Sequence, residues 1–269
     1  MINIDTVYQK VLLLANKEQR GYITPQEFNL FADHAQKEIF EQYFYDLNQF
    51  NRIPGNQTKY ADIVNNIKEK ISRFERYDKQ ATILNKYSDI NLDDDFPDLY
   101  RITMVRVSYK SKPKYVYIGQ ENPSSMVIAE HTPLSELTSL LNSKLTAPSR
   151  LRPIYTQYAA FPLNKRIKVY PKPSFTETYS TGPRAGQLKD RVVVSYIASP
   201  RKPNWTYQVV NQKPFFNDNN ETRNFELHES EEQELVYRIL GLAGITLQRP
   251  DLLQTAAGLQ GATLNQEKQ

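Results

Sequence analysis

The 269 residues include no cysteine, which excludes disulfides, thiolate nucleophiles and cysteine-based metal sites and leaves the redox compartment unread. With 39% hydrophobic and 12% aromatic residues, the chain is too apolar for global disorder and long enough for one large domain or two small ones. Its net charge of +4 is unevenly placed: Leu141 to Phe215 carries thirteen Lys and Arg against only Glu177 and Asp190, whereas Phe216 to Gln269 carries nine acids against four bases. A basic middle and an acidic end can pair between subunits, face a polyanion, or simply be solvated. No apolar run approaches a membrane span, and the first residues lack a basic region followed by an apolar one. The sequence therefore predicts a soluble protein without a cleaved signal.

In chain order, a first helix is predicted from about Asp5 to Lys17, with Val7, Val11 and Leu14 on one side. A second starts sharply at Thr24-Pro25-Gln26-Glu27, where Thr24 can cap, Pro25 needs no donor, and Glu27 can reach back in a capping box. Ile23 and Phe28 can staple the turn. Its apolar face reads Phe28, Phe31, Ala35, Ile39, Tyr43, Leu47 and Phe50, widened by Phe40, Phe44 and Tyr45, and Pro54-Gly55 stops it. So broad a face requires cover on more than one side, from its own domain or from neighbouring copies. A third helix is carried by Tyr60, Ile63, Val64, Ile67, Ile71 and Phe74.

Beyond Asp78 the period changes to that of strands. Leu99 to Tyr109 reads as a strand, with Ile102 and Met104 on the face opposite Val105, and Tyr115 to Ile118 as its hairpin partner. Thr132-Pro133 opens a short helix with Leu134, Leu137, Leu141 and Leu145. Strands follow at Ile154–Ala160, Arg166–Tyr170 and Arg191–Ser199, and Thr176 to Lys189 reads as a long loop. Ser230-Glu231-Glu232-Gln233 forms a second capping box before a helix with Leu235, Ile239, Leu242 and Leu247, ended by Arg249-Pro250. The predicted class is α+β: an N-terminal helical bundle over 1–78, an antiparallel β-rich region with long loops over 79–229, and a C-terminal helix with an extended tail over 230–269. The helical parts are expected to pack together.

Catalytic chemistry finds little material. His34, His131 and His228 each lack a second ligand at metal spacing and read as surface or capping residues. The cluster Asp89, Asn91, Asp93, Asp94, Asp95 and Asp98 imitates a calcium loop, but its sixth position is Asp94 instead of Gly and its twelfth is Tyr100 instead of Glu. It reads as a solvated linker. No phosphate loop or dinucleotide fingerprint occurs. No cofactor, no metal and no enzymatic activity are expected. Three groups are candidate contact residues: Leu252, Leu253, Leu259 and Leu264 as apolar anchors of a docking tail; Arg184 and Lys189 in a loop between subunits; and Lys165, Arg166, Lys168, Arg201 and Lys202 as a basic surface.

Two segments carry a resemblance. One runs from Tyr8-Gln9-Lys10-Val11 through Asn16-Lys17-Glu18-Gln19-Arg20-Gly21-Tyr22-Ile23-Thr24-Pro25-Gln26-Glu27-Phe28-Asn29. The other is Val192 to Ile197 followed by Ser199-Pro200-Arg201-Lys202-Pro203-Asn204-Trp205. Glu231 to Gly241 and the tail Asn265-Gln266-Glu267-Lys268 are similar in style. Together they resemble the head–tail connector proteins of short-tailed, crAss-like and related bacteriophages. That resemblance implies a virion protein, usually dodecameric, that sits below the portal and lines the DNA passage after assembly in the host cytoplasm. Its implied partners are copies of itself, the portal protein, adjacent tail or ring proteins and, transiently, packaged DNA, with no membrane. Two alternatives stay open: a nucleic-acid-binding protein using the basic strands, and a metal-dependent nuclease built on the Asp89–Asp98 acids.

Overall fold

A computed structural model describes residues 1–16, 23–52, 58–83, 89–109, 126–160, 164–173, 190–246 and 258. The fold is α+β, with helices α1 (Ile4–Asn16), α2 (Pro25–Arg52) and α3 (Thr58–Ser72) before the main sheet and α6 (Glu232–Thr246) after it. The chain divides into two compact units. One comprises 1–73 with 200–269, and the other is the continuous stretch Phe74–Ser199. Residues 200–229, grouped with the strands on sequence grounds, thus belong with the helices.

In the helical unit α2 begins as its sequence dictates. Thr24 N–H donates to Glu27 Oε2 at 3.0 Å, and Glu27 N–H donates to Thr24 Oγ1 at 3.3 Å. The Thr24 N–H and the Thr24 hydroxyl, which donates to the same Glu27 oxygen at 2.8 Å, hold the Glu27 carboxyl below its usual range. The stapling pair Ile23 and Phe28 is buried. The buried stripe runs Phe28, Ala32, Ala35, Gln36, Ile39, Phe40 and Tyr43. Phe31, expected on it, is only half-buried, and Tyr45 is exposed. Small Ala32 and Ala35 let neighbours approach the helix closely, and α2 packs against both α3 and α6. The last helical stretch is capped two residues earlier than its sequence predicts. His228 Nδ1 accepts from Ser230 N–H at 3.2 Å at the head of a 3-10 turn, Glu229–Glu231, which leads into α6.

The second unit is a seven-stranded sheet in the order β1-β7-β3-β4-β5-β6-β2. Its strands are β1 (Glu75–Gln80), β2 (Asp89–Asn91), β3 (Leu99–Ser108), β4 (Val127–His131), β5 (Ile154–Ala160), β6 (Asn164–Tyr170) and β7 (Arg191–Ala198), and a short α4 (Leu92–Asp95) follows β2. All neighbours are antiparallel except β4 and β5. A parallel pair needs a crossover, and here it contains α5 (Leu134–Asn142). Strand β7 lies inside the sheet, between β1 and β3, and is buried on both faces from Val192 onward, as its apolar run requires. The core joins Ile90, Leu92 and Phe96 to Val105, Val107, Tyr155, Ile167, Val169, Val192, Val194 and Tyr196.

The face assignment of β3 differs from the simple alternation. Its pairing with β7 slips between Leu99 and Arg101 and again between Ile102 and Met104, leaving Tyr100 and Thr103 as extra residues. Each bulge resets the period, so Leu99, Ile102, Val105 and Val107 all join one core face. The predicted partner strand Tyr115 to Ile118 lies outside the described residues.

Candidate functional site

The basic residues singled out in the sequence fall into both units. Lys165, Arg166 and Lys168 lie on β6, whereas Arg201 and Lys202 belong to the helical unit. Alternation along β6 puts Arg166 and Lys168 on the face away from Ile167 and Val169. There Lys168 Nζ stands 3.4 Å from Asp89 Oδ1 across the strand pair and lies over the Tyr158 ring at 5.2 Å. Tyr158 Oη donates to the same Asp89 oxygen at 2.7 Å. Burial first, and then that hydrogen bond and charge, push the Tyr158 phenol up to about 12. In the helical unit, Arg201 Nε donates to Glu226 Oε1 at 2.7 Å, while Lys202 is exposed.

The acidic cluster is a structural device and not the solvated linker its composition suggests. Asp89 and Asn91 are buried in β2. Asn91 Oδ1 accepts from Asp93 N–H to cap α4, Asp93 Oδ2 accepts from Lys165 N–H at 2.8 Å, and Asp95 Oδ2 accepts from Thr82 N–H at 2.6 Å. Tyr196 Oη donates to Asp98 Oδ1 at 2.8 Å, and burial and this bond push that phenol, too, up to about 12. Main-chain and phenolic donors thus occupy carboxylates that sequence spacing presents as a loop of ligands. Among the described residues no group of three or more His, Asp or Glu could hold a metal ion.

A cleft of about 640 Å³ opens in the sheet unit where β4 ends. Leu99, Tyr100, Arg101 and Ile102 of β3 line one side, and Gln157, Tyr158 and Ala159 of β5 line the other, with Leu92, His131, Tyr155, Lys165 and Arg166 around them. Consecutive residues of both strands border it, so it runs between two strand edges instead of over one face. His131, which reads as a surface residue in the sequence, packs edge-on against Tyr155 with ring centroids 5.2 Å apart. His34 sits 3.1 Å from Glu38 one helical turn on.

The helical unit carries a second feature that pattern reading does not reveal. Asn29 and Gln36, two turns apart on α2, hold the segment after Pro200 by its backbone. Asn29 Oδ1 accepts from Trp205 N–H at 2.8 Å, and its Nδ2 donates to Trp205 O at 3.2 Å. Gln36 Nε2 donates to Arg201 O at 2.9 Å, and its Oε1 accepts from Glu226 N–H at 3.0 Å. Buried Trp205 donates from Nε1 to Asp5 Oδ1 at 2.9 Å and stacks against Tyr207 and Phe216. Those two residues belong to a hairpin of β8 (Tyr207–Val210) and β9 (Lys213–Phe216). Its two-residue turn has left-handed Asn211 and Gln212 (φ 49° and 63°), the twist a tight hairpin needs. Both faces of the hairpin expose apolar side chains: Val210 (46%) and Phe215 (54%) on one, and Val209 (61%) beside Phe216 (36%) on the face that stacks on Trp205. The segment Tyr207 to Phe216 sets apolar residues side by side (Val209-Val210 and Phe215-Phe216) in place of an alternation, and its Asn-Gln turn lacks the glycine that usually announces a hairpin.

Leu252, Leu253, Leu259 and Leu264, and Arg184 and Lys189, lie outside the described residues. No helix among the described residues is long and apolar enough to cross a membrane. No protein-family model matches the chain, and neither does any curated protein.

Proposed function

We propose that this chain is a non-catalytic assembly protein, and that the assembly is the head–tail connector ring which its sequence resemblance implies. The observation that carries the reading is the β8–β9 hairpin. A two-stranded hairpin is marginal on its own, yet this one is anchored through Trp205 and leaves Val210 and Phe215 exposed on the face away from that anchor, with Val209 exposed on the other. Exposed apolar side chains on a fixed element are the usual mark of a surface that another chain covers. Use of the Asp89–Asp98 carboxylates as acceptors from main-chain N–H groups and phenols supports a scaffold over a hydrolytic centre. In this reading the portal protein and neighbouring rings cover the remaining surfaces, packaged DNA passes through, and the protein resides in the virion.

Mass measurement of the purified protein, together with its copy number in mature particles, tests the reading. A closed homo-oligomeric ring, present in particles at the portal's copy number, is the expected result. A monomer at every concentration that is also missing from particles overturns it. Exchanging Val209 and Phe215 for Ser, at positions this exposed, should change stability by no more than about 0.5 kcal/mol each while reducing oligomer formation.

A further inference from the structure

We infer that the cleft between β3 and β5 is an acceptor slot for an extended, acidic segment of a partner polypeptide, which adds to the sheet as a further strand. This holds for the single subunit and does not rest on the ring reading. Strand β4 lies between β3 and β5, but it pairs with β3 only from Val105 to Val107 and with β5 only at Ile154 and Tyr155. It stops at His131, and Pro133, at the head of α5, cannot extend a ladder. An intervening strand holds its two neighbours about 9–10 Å apart, so the space in line with β4 beyond His131 is one strand wide.

The backbone is set for pairing there. The carbonyls of Pro153 and Tyr155 accept from Glu130 N–H and Thr132 N–H, both at 2.9 Å, so these residues point toward β4. Alternation turns the N–H and C=O of Gln157 and Ala159 to the same side. Among the described residues no strand pairs with them there. The lining states the chemistry of the occupant. Leu92, Leu99, Ile102 and Tyr155 belong to the core-facing side, whereas Arg101 and Arg166 belong to the opposite face, with Lys165 at the end of β6. Among the described residues three cations and His131 line the cleft, and no carboxylate does. A strand alternating apolar and acidic residues matches both faces.

Single-stranded nucleic acid fits less well, because base stacking needs free ring faces. Of the tyrosines lining the cleft, Tyr155 is buried against His131, Lys168 covers the Tyr158 ring, and Tyr100 is exposed at 41%, a single ring where successive bases need several.

The test uses the full chain and fluorescence anisotropy with a labelled peptide of about eight residues alternating Val and Glu, a common strand length. Four companions are measured: the same peptide N-methylated on alternate residues, an alternating Val and Lys peptide, an oligo-dT strand, and the Arg101→Glu/Lys165→Glu protein. Both substituted residues are exposed, and circular dichroism verifies the fold. Saturable binding of the Val/Glu peptide is expected, about tenfold weaker with the double variant and at least as much weaker for the methylated and Lys peptides. Lack of saturable binding, equal binding of the methylated peptide, or displacement of the peptide by oligo-dT at the same salt overturns the proposal.

Discussion

Asn29 shows how one side chain can decide the course of a long segment. It satisfies both the N–H and the C=O of Trp205, and it does so from a helix position that reads as ordinary polar surface. Asn29→Ala strands two partly buried backbone groups, a loss of about 2–4 kcal/mol, whereas Lys202→Ala, at an exposed site, should cost less than about 0.5 kcal/mol. Urea denaturation of both variants checks the contrast. Tyr158 and Tyr196 make a second residue-scale case. Their phenols ionise near about 10 in an unfolded chain but are pushed up to about 12 in the fold. Over that window the folded state keeps protons that the unfolded state loses. The stability they provide is therefore complete below about 10 and disappears as pH rises through about 12. Denaturation at pH values on either side of this window should show a steep alkaline loss, which is shallower in Tyr158→Phe.

At the scale of elements, β3 is the informative strand. Its two bulges place four apolar residues on one face although their spacing is irregular. Removing an extra residue and removing a paired one should then differ sharply. Without Thr103, Ile102, Met104 and Val105 alternate regularly and the register with β7 is unchanged. Without Arg106, Val107 turns away from the core. The Thr103 deletion should fold with only a modest drop in Tm, whereas the Arg106 deletion should lose cooperative melting. Thermal melts by circular dichroism distinguish them, and equal damage by the two deletions counts against the bulge assignment. The hairpin β8–β9 teaches the complementary point, since its turn conformation is imposed on Asn211 and Gln212 by strand pairing and by its anchor on Trp205.

At the scale of the molecule, the sheet unit is a continuous insertion into the chain of the helical unit. Its two ends are adjacent: Glu75 pairs with Ile197, and Ala198 N–H donates to Phe74 O at 2.8 Å. Each unit has its own core, which is the condition for independent folding. The fragment Phe74–Ser199, made alone, should give a strand-type circular dichroism spectrum and a single cooperative transition. A chain in which a short Gly/Ser linker replaces that stretch should keep the helical spectrum. A fragment without cooperative unfolding would show that the sheet depends on the rest of the chain.

Local signals carried through to the structure where the physics is local. The Thr24–Glu27 box, the helical periodicities, strands β3, β5, β6 and β7, the short helix α5 and the α+β class were legible because caps and side-chain periods act within a few residues. Strand β1, the bulges and the hairpin β8–β9 were not, because long-range pairing sets them against weak local preference. The sites follow the same division. Sequence clustering gathered the Asp89–Asp98 acids and the basic residues by proximity in the chain, but the acids accept from main-chain N–H groups and phenols, and the cations divide between β6 and the segment after Pro200. The cleft beside β4 draws on segments as distant as Leu92 and Arg166, and no pattern within one segment marks the point where a strand stops short between two longer ones. Local sequence determined where the helices and strands β3, β5, β6 and β7 form, whereas long-range pairing decided β1, the hairpin and which strand edges were left open.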